Sequence, residues 1–196
     1  STEEAASRRL YVSMLVSVDG YIEGPNRELD WFLDGDPHFD RYADEMIDSV
    51  GLALYGRRAY ELMLGYWPAA ERNPRSPHDL AFARRMNALP KNVLSRTLEH
   101  AEWSNTRIVR ENVAETIREL KREPGKPIVA WAGAGLVATL AEHDLIDEYR
   151  LIVQPVVVGQ GTPLFQNVEQ RPRLRLTRTT QLGPHIAVLS YEPTRP

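Results

Sequence analysis

Three short stretches carry residue types suited to holding an anion, and each directly follows an apolar, strand-like run. Gly133, Ala134, Gly135 and Leu136 come after "PIVAWA", Gly56, Arg57 and Arg58 after "LALY", and Ser95, Arg96 and Thr97 after "KNVL". At a helix start the first backbone N–H groups lack intrahelical partners and carry partial positive charge, and a glycine there lets a phosphate oxygen come close. Two arginines in a first helical turn oppose the helix dipole unless an anion sits beside them. A hydroxyl, a guanidinium and a second hydroxyl in succession suit a phosphate monoester or a purine edge. If the three strands lie parallel in one sheet, all three stretches reach its carboxyl edge, where open α/β sheets bind ligands.

Residues 133–138 fit the pattern G-x-G-x-x-[GA] after a strand and before a helix. A simple Rossmann unit is rejected. It would come first in its domain and would place an acidic residue about 20 positions on to hold a ribose, whereas Gln154 and Pro155 stand there and several strands come earlier. Two readings of the glycines stay open from this stretch alone: a cradle for a diphosphate, or a device for tight strand-to-helix packing.

The elements that must position these residues are legible from periodicity. "RRLYVSMLVSVDGYI" reads as a buried strand and an Asp19-Gly20 turn. Phe39, Tyr42, Ala43, Met46 and Ile47 recur at helical spacing over 37–49. A strand at "GLALYG", a helix at "RRAYELML" and a proline-rich loop over 65–78 follow. Next come a helix at "DLAFARRMNAL" capped by its Asp, strands at "KNVLS" and "TRIVR", a helix at "NVAETIRELKRE", a strand over 127–132 and a helix over 135–142. "DEYRLIVQPVVVG" reads as one long strand with a bulge or an edge at Pro155. Gly161-Thr162-Pro163 reads as a turn, and the tail as two antiparallel strands joined near Gly183-Pro184. The fold class is therefore α/β, with a mixed, mostly parallel central sheet between helical layers and an antiparallel hairpin last. Residues 9–193 are expected to form one domain and residues 1–8 an unstructured tail.

Composition narrows the partners. The 196 residues are 42% hydrophobic and 26% charged with a net charge of −3, and no run of Lys or Arg builds the basic stripe that nucleic acid requires. The longest apolar stretch, over 151–158, is interrupted and far short of the ~20 residues that span a bilayer, so a cytoplasmic protein is expected. The absence of cysteine excludes disulfides and thiolate chemistry. The five histidines show no ligand spacing, so no metal is expected.

In their order along nearly the whole chain, "SVDGYIEG", "LDWF", "GRRAYE", "KNVLSRTL", "AGAGL" and "PVVVGQGTPLF" resemble the dihydrofolate reductase superfamily. The resemblance is closer to the reductase domain of the riboflavin-biosynthesis deaminase-reductase. It implies a dihydrofolate-reductase-like three-layer fold, a homodimer with residues 153–158 as a contact, and an NADPH-dependent oxidoreductase. By it, Gly56, Arg57, Arg58, Ser95, Arg96 and Thr97 would hold the adenosine 2′-phosphate side, and Gly133, Ala134, Gly135 and Leu136 would meet the diphosphate. Ala59 stands where dihydrofolate reductases usually carry Thr. Tyr21 stands where riboflavin reductases typically carry Lys, which argues against that particular substrate.

Hydride transfer to a C=N or C=O bond needs a proton donor or an oriented water near the acceptor. Dihydrofolate reductases place a carboxylate on their first long helix, and the matching position here is Asp40, with Asp36 and Asp44 as rivals; a solvated helix-face Asp40 is the competing reading. Asp19, Trp31 and Gln154 are the further substrate-side candidates: a carboxylate to orient the loop beside the nicotinamide, an indole to stack on a flat heterocycle, and an amide from the long strand. A turn aspartate, a packing aromatic and a bulge are the plainer alternatives for the three. The substrate is expected to be a small heterocycle or carbonyl compound, and a non-catalytic nucleotide- or metabolite-binding protein on the same fold is the alternative function.

Overall fold

The computed structural model describes residues 8–131, 133–166 and 168–194. In chain order the elements are β1 (Leu10–Ser17), β2 (Tyr21–Glu23), α1 (Pro37–Ser49), β3 (Leu52–Gly56), α2 (Arg57–Leu64), α3 (Trp67–Arg72), α4 (Pro77–Ala88), β4 (Lys91–Leu94), β5 (Thr106–Val109), α5 (Val113–Arg122), β6 (Ile128–Trp131), α6 (Ala134–Glu142), β7 (Glu148–Gln154), β8 (Thr162–Pro163), β9 (Leu174–Leu182) and β10 (Ile186–Pro193). The fold is α/β with a mixed, mostly parallel sheet of eight strands and antiparallel C-terminal strands. Among the described residues the chain divides into two compact units: 8–9 with 44–131, and 10–43 with 133–166 and 168–194.

In the first unit the strand order is β5-β4-β3-β6, every pair parallel, so the carboxyl ends of all four strands lie along one edge. Ala53, Leu54, Tyr55, Val93, Ile128, Val129 and Ala130 are fully buried, as the near-continuous apolar runs of a parallel sheet require. The Tyr55 ring packs among Tyr60, Trp103 and Trp131 at centroid distances of 6.4, 5.7 and 5.6 Å. Asn87 knits this side together. Its amide donates to Trp67 O and Glu71 Oε2 while its Oδ1 accepts from Trp103 Nε1, so a buried polar group is satisfied at both ends. Lys91 is buried at the amino end of β4, where its ammonium donates to the carbonyls of Asn87 (2.9 Å), Leu89 (2.7 Å) and Ser104 (2.9 Å).

In the second unit the order is β1-β7-β10-β9, with β1 and β7 parallel and the last two pairs antiparallel. Ile152, Leu182, Ile186 and Val188 form its core, against which Leu15, Leu33, Phe39 and Tyr42 pack. Burying side chains of this size contributes about 1.5–3 kcal/mol each. A small antiparallel pair, β2 with β8, stands apart from the main sheet.

Four local expectations change. The proline-rich loop contains α3, because Pro68 falls in the first turn, where its missing N–H would have no partner anyway. The cap of α4 is Ser76, whose Oγ accepts from Asp79 N, with Pro77 opening the helix. Strand β7 lies between β1 and β10 and stops before Pro155, so Pro155 is neither a bulge nor an edge but a terminator. Thr162 and Pro163, read as part of a turn, pair with β2. At the start of the described chain, Arg8 N–H donates to Lys121 O and its Nε to Lys126 O.

Candidate cofactor and substrate site

Gly56 ends β3 and forms the N-cap of α2 in an extended conformation with no side-chain cap, and no acidic residue enters the first turn. The first amides of α2 are thus left without the side-chain acceptor that most helix starts supply, and two arginines stand among them. Gly56 is level with Leu94 in the parallel register of β3 and β4, which puts the Ser95–Thr97 segment next to the α2 start. Arg57 joins the two segments through an Nη1 donation to Thr97 Oγ1, and its Nε donates to Glu61 Oε1 at 2.9 Å.

The turn after β4 is shaped from within. Ser95 Oγ accepts from the N–H groups of Thr97 (3.3 Å) and Leu98 (3.1 Å), and Ser95 N donates to Val109 O. Among the described residues its own hydroxyl proton has no acceptor. Arg110 completes the turn by donating to Leu98 O and Glu99 O. Arg96 and Thr97 are exposed. The structure therefore brings Gly56, Arg57, Arg58, Ser95, Arg96 and Thr97 to one carboxyl edge of the first unit.

Gly133, Ala134, Gly135 and Leu136 begin α6 in the second unit. Gly133 is the N-cap at φ −79°, ψ 176°, again without a side-chain cap, and its peptide bond to Ala134 is trans. Among the described residues, and apart from its chain neighbours and its own helix backbone, a Cβ built on Gly133 or on Gly135 meets nothing within 4 Å. Neither backbone geometry nor packing demands glycine at these two positions, so tight strand-to-helix packing does not account for them. Open space over unspent amides is what an approaching diphosphate needs.

On the substrate side, Asp36 is buried and caps α1 by accepting from His38 N and Phe39 N at 2.9 Å each. Asp44 is paired with His78 and Arg85. Asp40 is the half-buried carboxylate of the first turn of α1. Asp19 accepts from Ser17 Oγ (2.6 Å), Val158 N (3.1 Å) and Gly159 N (2.8 Å), so it latches the segment after β7. The Ser17 hydrogen bond, followed by the two backbone donors and against some desolvation, holds its carboxyl below the usual aspartate range. Gln154 is 2% exposed and accepts from Leu33 N at 3.0 Å. Trp31 donates to Glu28 O and stacks edge-on against Phe32. Asp19 and Gln154 thus each hold a distant backbone segment, Val158–Gly159 and Leu33; the sequence assigns Asp19 to orienting a loop but gives Gln154 no such role. Glu61 and Arg110 were missed as site residues. Glu61 was visible in "RRAYE" as the i+4 partner of Arg57, while nothing in the sequence pointed to Arg110.

Among known proteins the chain is similar to the uncharacterized protein YyaP of Bacillus subtilis (strain 168), at 34% identity over 191 residues and 97% of each chain. It matches the structure of a "Putative riboflavin biosynthesis protein" from Shewanella sp. PV-4 with a TM-score of 0.73 and 20% identity, covering 95% of this chain and 99% of that one. It matches dihydrofolate reductase from Enterococcus faecalis complexed with NADP(H) with a TM-score of 0.63 and 13% identity, covering 95% and 97%. The fold is thus of the dihydrofolate reductase type. The model of the RibD C-terminal domain matches residues 8–188, and the chain belongs to that family.

Proposed function

We propose that the protein is an NADPH-dependent reductase acting on a small heterocyclic, pterin- or pyrimidine-like, or carbonyl substrate. One observation carries this reading: at the uncapped start of α2, the Arg57 guanidinium is held between Thr97 and Glu61 beside the Ser95–Thr97 turn. A phosphate monoester on a nucleoside answers that arrangement, and the 2′-phosphate of NADPH is one. In the first unit Arg57, Arg58, Ser95, Arg96 and Thr97 are the candidates to hold such a phosphate; taken separately, the amides of Gly133–Leu136 in the second unit are the candidates for a diphosphate. Membership in the RibD C-terminal family and the NADP(H) held by the similar dihydrofolate reductase support this cofactor.

When bound, the nicotinamide supplies the hydride. The chain's residues supply the rest. Asp40 would hydrogen-bond the acceptor and guide a proton to it, and Trp31 would offer an aromatic face. Gln154 and Asp19 would keep the Leu33 and Val158–Gly159 segments in place around the substrate. Tyr21, in place of the lysine typical of riboflavin reductases, points away from a phosphoribosyl substrate.

Titration with NADPH and NADH tests the cofactor. Saturable binding that favours NADPH is expected, and Arg57→Ala should reduce that preference; no saturable binding of either dinucleotide overturns the reading. A second reading, a non-catalytic binding protein, draws on the engagement of Asp19 by the Val158–Gly159 segment and of Gln154 by Leu33, which ties both to holding backbone. Steady NADPH oxidation with a pterin, flavin-precursor or quinone-like acceptor decides for the enzyme. The same proposal includes a homodimer, with Val157, 69% exposed after β7, as a contact that sedimentation of Val157→Asp would test.

A further inference from the structure

We propose that Glu61 is the positioning residue for Arg57, and that through Arg57 it sets the preference for a 2′-phosphorylated over an unphosphorylated adenine dinucleotide. The inference rests on the NADPH reading above and adds to it a residue that touches neither cofactor nor substrate.

A guanidinium is a flat fork with five N–H donors. In Arg57 the fork is held at two separated points: Nε on Glu61 Oε1 at 2.9 Å, and Nη1 on Thr97 Oγ1. One anchor alone would leave the plane free to swing; two fix both its position and its tilt. The Nη2 group and the second Nη1 hydrogen have no partner among the described residues, so the outer edge of the fork remains for bidentate recognition of a phosphate. Both side chains are half exposed, at 45% and 51%, so the pair adds little to folding, which leaves orientation as its main effect. Glu61 lies one helical turn beyond Arg57 on the same face of α2, an arrangement set by the i,i+4 spacing. Its carboxylate serves as an acceptor, while its negative charge opposes an incoming phosphate. Gln would retain the acceptor oxygen and remove that charge.

The test is a pair of variants, Glu61→Ala and Glu61→Gln, titrated with NADPH and NADH. Glu61→Ala is expected to weaken NADPH by roughly three- to fivefold, the size of an exposed ion pair, with NADH unchanged. Glu61→Gln should restore wild-type NADPH affinity or exceed it. Thermal melts should coincide for all three proteins. A Glu61→Ala protein that keeps the wild-type ratio, loses both dinucleotides in parallel or binds NADPH more tightly overturns the inference. So does failure of Gln to rescue. If wild type binds neither dinucleotide, the cofactor reading fails and takes this inference with it. If wild type prefers NADPH and Arg57→Ala abolishes that preference while Glu61→Ala keeps it, the cofactor reading stands and only the role of Glu61 falls.

Discussion

Arg57 donates to the hydroxyl of Thr97 across 40 positions of sequence, so one guanidinium ties the carboxyl ends of β3 and β4 together. The contact separates charge from geometry. Arg57→Lys keeps a positive charge but replaces the planar fork with a point donor, and Thr97→Val keeps the side-chain shape while removing the acceptor. Each is expected to raise the NADPH dissociation constant about three- to tenfold, with NADH shifting less than twofold, in line with the loss of one charge-assisted hydrogen bond. Equal losses for both dinucleotides in a fluorescence titration would remove Arg57 from the 2′-phosphate.

The two glycines of α6 offer a contrast between stability and binding. Gly135 lies inside the helix with open space at its Cβ, so Gly135→Ala should hold or raise stability, by up to about 1 kcal/mol from helix propensity. The added methyl would nevertheless stand where a diphosphate must approach. Weaker binding of both NADPH and NADH with an unchanged or higher melting temperature is the expected pair of results. Undiminished binding would show that these amides hold no ligand.

How far the sequence reached depends on the range of each interaction. Helix α1 and the β3–α2 junction at Gly56-Arg57 were readable because period and motif are local. Helix α3 was hidden by Pro68, and β8 is only two residues long, too short for any period to show. The partners of Asp19 and Gln154 were invisible for another reason: the backbone groups that they hold lie 139 and 121 positions away. The side-chain partner of Arg57 that was legible, Glu61, is the one on its own helix. Which strand ends share an edge in the first unit followed from strand-helix alternation, whereas the turn-shaping donations of Arg110 depend on loop conformation that no spacing announces.

Gly161 and Gly183 are structural, unlike Gly133 and Gly135. Gly161 has φ +145° and a Cβ there would overlap the Glu23 carbonyl oxygen; Gly183 has φ +63° and its Cβ would strike the His38 ring. Gly161→Ala is expected to cost about 2–4 kcal/mol, combining backbone strain with a clash against main chain. Gly183→Ala should cost less, because a side chain can give way. Chemical denaturation measures both, and equal, negligible losses would contradict the geometry.

Lys91 gives a pH dependence whose sign can be worked out. Its Nζ lies 4.4 Å from the Trp103 ring centroid and donates to three carbonyls, contacts that favour the ammonium form. Burial opposes them and prevails, bringing the pKa from 10.5 down to about 8. At pH 7 both folded and unfolded chains carry the proton, and the folded state bears the cost of the buried charge. Between about pH 8 and 10.5 the unfolded chain holds more protons at this site than the folded one, so the Lys91 contribution to stability rises with pH. Other groups titrate in the same window, and Lys91→Met supplies the reference that cancels them. From pH 7 to pH 10 the wild type should gain about 2 kcal/mol relative to Lys91→Met, by linkage. Urea denaturation at several pH values reads this directly. A constant difference between the two proteins would mean that the three carbonyls and the indole face compensate the burial in full, leaving Lys91 with the ordinary pKa of an exposed lysine.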